Sequence, residues 1–124
     1  MENDLVFVSF DIETGGTYCG IVQISAKMFR LVHDPSAQQN TPPPTLIRLE
    51  TTFNEYADPG AIAIWDPACS WIHGLTAESP EIQAADGIGL VWRRFCDWVN
   101  DQFADNDTGI LVANNGETCD LAWL

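Results

Sequence analysis

"LVFVSFDIETGG", residues 5–16, is apolar over its first six positions except for Ser9, then carries two acids one residue apart, Asp11 and Glu13. Removing a carboxylate from water is costly unless a positive charge meets it. Side chains alternate between the faces of a strand, so residues i and i+2 stand side by side. Asp11 and Glu13 therefore present two like charges within reach of one cation, which is half of a metal site. A strand end whose carboxylates face water has the same spacing, so the Asp-x-Glu pattern alone does not separate the two readings.

Outward from this stretch, residues 5–12 are apolar on both faces and predict a central strand. Gly15 and Gly16 supply a turn. Ile21–Leu31 reads as a second strand with β-branched residues at its start. A polar, proline-rich loop over about 34–45 contains Thr41-Pro42-Pro43-Pro44, and Leu46–Phe53 alternates as a third, half-exposed strand. Three consecutive strands predict an antiparallel meander. Residues 54–82 are rich in Pro, Gly and Asp, which points to turns and short helical pieces.

From Gly87 the period changes. Ile88, Val91, Trp92, Phe95, Trp98, Val99 and Phe103 follow helical spacing, with Asp86 as the expected N-cap and Asp105, Asn106, Asp107 and Gly109 as the stop. Ile110–Ala113 is a short apolar strand, and "NNGETCDLAWL", residues 114–124, turns and opens another helix. The order predicts an α/β domain with a mixed sheet. If the first and fourth strands are neighbours, Asp120 joins Asp11 and Glu13 at one edge of the sheet. Acids converging from separate segments are what a divalent-metal site requires.

The chain has 124 residues, 46% of them hydrophobic, with five tryptophans, enough for one domain with a real core. No stretch approaches a membrane span, and the N-terminus lacks a basic start followed by an apolar signal region. A soluble, intracellular protein of the cytoplasm or nucleus, not secreted and without a membrane partner, is expected. Cys19, Cys69, Cys96 and Cys119 are irregularly spaced and form no C-x-x-C pair, which favours reduced, structural thiols. Five basic residues against eighteen acidic ones give a net charge of −13, which argues against a grip on long stretches of phosphate backbone. An enzyme that touches only a strand's end through bound metal ions remains compatible, because divalent cations invert the local sign. Affinity without metal should then be poor.

These residues resemble the DEDD superfamily of 3′-to-5′ exonucleases, the group that includes polymerase proofreading domains and ribonuclease T. Asp11-Ile12-Glu13-Thr14 after an apolar strand matches the family's first motif, and Ile21–Ala26 ("IVQISA") matches its next strand. Ile72-His73-Gly74-Leu75-Thr76 matches a mid-domain segment, and Ala113-Asn114-Asn115-Gly116 with Asp120 resembles the second acidic motif. The resemblance runs over nearly the whole chain. It implies a ribonuclease H-like mixed sheet and two-metal hydrolysis of phosphodiesters at the 3′ end of single-stranded DNA or RNA, with Mg²⁺ or Mn²⁺ as the ions. It implies further that Asp11 bridges both ions, that Glu13 holds one and orients the attacking water, and that Asp120 contacts the other. Thr14, Gly15, His73 and Asn115 would face substrate, with a structural role as the alternative for His73 and a hold on the turn as the alternative for Asn115.

The pattern also departs from the family. The fourth acid and the His or Tyr that precedes it have no place in the four residues after Asp120, and His33 and His73 fall in the wrong elements for a general base. Asn114 and Cys119 stand where the family often has His and an aromatic. The expectation is a single exonuclease-like domain over 1–124, truncated after the second acidic motif and lacking the last strand and helix. Its open sheet edge would accept another chain or a missing C-terminal segment. Two other classes of function are compatible with the sequence. One is a catalytically inactive nucleic-acid-binding module. The other is an acidic interaction domain in which Trp65 and Trp71 meet a partner, although buried packing is the expected role of each.

Overall fold

The computed structural model describes residues 5–32, 45–104 and 107–113. Four strands form one sheet: β1 (Leu5–Thr14), β2 (Ile21–Val32), β3 (Thr45–Tyr56) and β4 (Thr108–Ala113), in the order β3-β2-β1-β4. β2 is antiparallel to both β1 and β3, which is the expected meander, and β4 lies parallel beside β1. The strand that is apolar on both faces is therefore central. Between β3 and β4 come three helices: α1 (Pro67–His73), α2 (Pro80–Gln83) and α3 (Ile88–Asp101).

Register decides which side chains are covered. Val6, Val8, Phe10 and Ile12 of β1 share a face with Met28, Ala26 and Ile24 of β2 and with Phe53 of β3, and all are buried. α3 lies on this face through Val91 and Phe95, with Trp92, Trp98 and Val99 packed around them. The Phe95 ring meets Phe53 edge-on at 5.4 Å, and Trp98 Nε1 donates to Thr51 Oγ1 at 2.7 Å, so the indole's polar atom is satisfied as its ring is covered. The Arg30 guanidinium donates two hydrogen bonds to Asp107, at 2.9 and 3.0 Å, and ties β2 to the residue that precedes β4. This pair holds the Asp107 carboxyl below its ordinary range, helped by the Ala104 amide.

At the end of β1 the β1–β2 register shifts by one residue between Glu13 and Thr14. The shift turns Ile21 and Val22 inward in succession, and Val22 forms a second small core with Leu75 and Ile82, bordered by Cys19, Tyr56 and Trp65. Two sequence expectations need correction. The N-cap of α3 is Gly87; the Asp86 carboxylate pairs with Arg94. Trp65 is packed as expected, but Trp71 stands 89% exposed on α1, which buries none of its residues. The proline-rich segment, Cys119 and the expected helix after 113 lie outside the described residues, and no helix among the described residues is long and apolar enough to cross a membrane.

Candidate active site

β1 carries Asp11 and Glu13 to its C-terminal end on the face opposite α3, Asp11 exposed and Glu13 half-buried. Asp11 lies opposite Ser25, and Glu13 opposite Gln23. The last described residue of β4, Ala113, pairs with Phe10, so the chain leaves the sheet one position from Asp11. Asp120 and Asn115 follow that point but lie outside the described residues, and among the described residues no third His, Cys, Asp or Glu joins the two acids. Paired carboxylates on one face have the chemistry to hold a hard divalent cation.

The backbone after these acids is fixed from several sides. Gly15 N donates to Gly20 O at 3.0 Å, and Asp66 N donates to Gly15 O at 2.7 Å. A Cβ on Gly15 would fall 2.2 Å from Cys19 Sγ and 2.9 Å from Trp65, so nothing larger fits. Gly16 has φ +109°, and a Cβ there would meet Asp66 Cβ at 2.8 Å. Within this turn, burial pushes the Cys19 thiol up, opposed by its hydrogen bond to the Gly15 backbone. The Asp66 carboxylate accepts from Ala68 N and caps α1, so one residue anchors both the turn and the helix.

His73, the last residue of α1, reaches back to this turn. Its Nε2 lies 2.7 Å from Thr14 O, and Leu75 N donates to its Nδ1 at 3.0 Å. A carbonyl only accepts and an amide only donates, so Nε2 is the donor to Thr14 O and Nδ1 the acceptor from Leu75 N. Both nitrogens are spent on backbone, and the imidazole holds the end of the acidic strand in place. Gly74, at φ +76°, ends α1 in the left-handed conformation that lets the chain turn after the histidine.

Beside Asp11 the exposed face of the sheet forms a depression of about 560 Å³, with Ser9, Ser25, Lys27, Thr52 and Asn54 contributing polar side chains to it. In the sequence their signal is the polar alternation at 23, 25 and 27 and again at 52 and 54, which marks one face of two paired strands.

No family model matches the chain, and no curated protein matches it by sequence. Among solved structures it is similar to the nuclease domain of 3′hExo, a DEDDh family member bound to rAMP, at 14% identity and a TM-score of 0.59, covering 99% of this chain and 61% of that one. It is similar to cell-death related nuclease 4 (CRN-4) at 16% identity and 0.55, covering 86% of this chain and 34% of that one. A 3′-exonuclease described in 3′-end-specific recognition of a histone mRNA stem-loop gives 12% identity and 0.54, with coverages of 98% and 42%. The chain thus spans between about a third and three-fifths of the length of these structures. At such identities the likeness concerns architecture: the chain has the α/β mixed-sheet fold of the ribonuclease H-like exonucleases.

Proposed function

We propose that the chain is a 3′-to-5′ exonuclease domain that hydrolyses phosphodiester bonds at the 3′ end of a single-stranded nucleic acid. The observation that carries the reading is the position of Asp11 and Glu13, on one face at the C-terminal end of a central strand, in an architecture shared with 3′ exonucleases. Asp11, Glu13 and Asp120 are the proposed ligands for Mg²⁺ or Mn²⁺. Such ions, when bound, supply Lewis-acid stabilisation of the charge that builds on the attacking and leaving oxygens.

The residues of the chain have their own tasks. Glu13 accepts a hydrogen bond from the attacking water and orients it. Thr14 and Gly15 stand beside the terminal nucleotide, where a small residue lets it come close, while their own backbone groups hold the turn. His73 fixes the Thr14 carbonyl, so the acids approach the phosphate from a set direction, and both of its ring nitrogens are engaged with backbone. Asn115 holds the substrate or the turn. The engagement of His73 also favours a second reading, a module that binds a strand end without cutting it, since a general base contributes about 10²–10⁴-fold to rate.

The test is trimming of a 5′-labelled single strand in Mn²⁺. Wild type should give a ladder of products shortened from the 3′ end, and Asp11→Ala should give none. A ladder unchanged in the variant overturns the exonuclease reading. Protection of the end by wild type in Mn²⁺, with no ladder, selects the binding module.

A further inference from the structure

The chain has only five basic residues, and two of them, Lys27 and Arg48, stand on the face of the sheet that α3 leaves open. Arg30 is committed to Asp107, and Arg94 to Glu55 and Asp86. Lys27 is exposed and makes no ion pair among the described residues, in a protein with eighteen acids. Its position is central: Ser9 lies across from it on β1 and Thr52 on β3.

Asp11 is the diagonal neighbour of Lys27 across β1 and β2, because Asp11 pairs with Ser25 and Ser9 with Lys27. Diagonal neighbours on one face of an antiparallel pair stand about 7–8 Å apart. That spacing leaves room for a phosphate beside the ammonium group without contact between it and the Asp11 carboxylate. Around Lys27 the depression offers the hydroxyls of Ser9, Ser25 and Thr52. Asn54 adds its Nδ2 donor, since its Oδ1 accepts from Gln23 Nε2 at 2.8 Å. A lysine among neutral donors, with one carboxylate, Asp11, at the border of the depression, has the chemistry of an oxyanion seat.

We propose that Lys27, with Ser25, Thr52 and Asn54, forms a phosphodiester subsite on the open sheet face, holding a backbone phosphate on the 5′ side of the scissile bond. The subsite rests on the nucleic-acid reading above, but it works without metal. It gives an acidic protein one local point of attraction for the strand and aligns the strand across β1, β2 and β3 with its 3′ end at Asp11.

The experiment is a ¹H–¹⁵N NMR titration of the whole chain with the dinucleotide dTpdT in EDTA at low salt. The amides of Ser25, Lys27, Thr52 and Asn54 should shift. Lys27→Ala should weaken the affinity about tenfold, as expected for loss of one charge-assisted contact, and Lys27→Arg should restore most of it. The methylphosphonate analogue of dTpdT, which lacks the backbone charge, should bind Lys27→Ala and wild type alike. Asp11→Asn, which removes a negative charge beside the seat, should tighten binding of the charged dinucleotide. Absence of shifts at these amides in wild type, or equal affinity of wild type and Lys27→Ala for dTpdT, overturns the subsite.

Its failure is distinct from that of the exonuclease reading. Loss of the ladder in Asp11→Ala, with Lys27→Ala binding and trimming as wild type does, removes the subsite alone. A ladder that survives Asp11→Ala, with the Lys27 effect intact, removes the exonuclease and leaves a phosphodiester-binding face.

Discussion

The two faces of the sheet are built from the same strands by alternate residues and have opposite characters. The face under α3 is closed: Val6, Val8, Phe10, Ile24, Met28 and Phe53 are each at most 7% exposed, and aromatic rings of α3 fill the space above them. The other face divides along its length. Towards the start of β1 it is apolar apart from Arg48, with Leu5, Phe7, Phe29 and Leu31 half-buried and Leu46, Ile110 and Val112 exposed. Towards the end of β1 it is polar and carries Asp11, Glu13, Ser25, Lys27 and Asn54. A covered face makes the fold stable, and an open one keeps acids and a lysine where water and a ligand can reach them. The chain separates the two demands by parity.

Truncating the closed face should have the largest effect on stability. Phe95→Ala removes a ring that meets Phe53, Trp92 and Trp98, and should cost about 3–5 kcal/mol in urea unfolding. Phe29→Ala, the same chemical change on the open face, should cost clearly less; equal losses would break the contrast between the faces. Next comes the turn that joins them at the acidic end. Gly15→Ala forces a Cβ against Cys19 Sγ and Trp65 and should cost about 1–3 kcal/mol, with impaired metal-dependent trimming as Thr14 moves.

The Arg30–Asp107 pair should have a smaller effect that depends on pH. The folded carboxyl is held below its ordinary range, so the unfolded chain takes up a proton first as pH falls. The pair's stabilisation is therefore fully present above the unfolded value of about 3.9 and is lost as pH falls through the lower, folded value. Asp107→Asn should lower the urea midpoint at pH 6 and lose most of its difference from wild type at the acid end. A constant difference across pH would show that the ion pair is not its source. The smallest change is expected at Arg94, whose pairs with Glu55 of β3 and with Asp86 are open to solvent. Arg94→Ala should leave the thermal midpoint unchanged within error, as is common for exposed ion pairs.

Much of this arrangement is legible in the sequence because it depends on local periodicity. Apolarity over 5–10, broken only by Ser9, marks β1 as central, the alternation of β3 marks it as half-exposed, and the helical spacing from Ile88 to Val99 supplies the cover. The adjacency of Asp11 and Glu13 follows from strand geometry alone. Gly15 reads as a turn glycine; the structure adds that the place of its missing side chain is filled by Cys19 of the same turn and by Trp65, fifty residues on. Asp86 reads as a cap because an acid precedes the helix, but the guanidinium of Arg94, two turns along, is a stronger partner than the helix end and draws it away.

What the sequence determined is the alternation of strand and helix, the faces on which apolar and polar residues fall, and the pair of acids at the end of the first strand. These are short-range matters, fixed by the two-residue and 3.6-residue repeats of the backbone. What only the tertiary structure decided is which strands meet and what gathers where they do. The parallel seating of β4 beside β1 sets where the chain leaves the sheet relative to Asp11. The reach of His73 back to Thr14 spans 59 positions. The placing of Lys27 diagonal to Asp11 depends on the register of two strands. Register is set by the burial of one whole face against α3, a sum over many side chains that no short stretch contains.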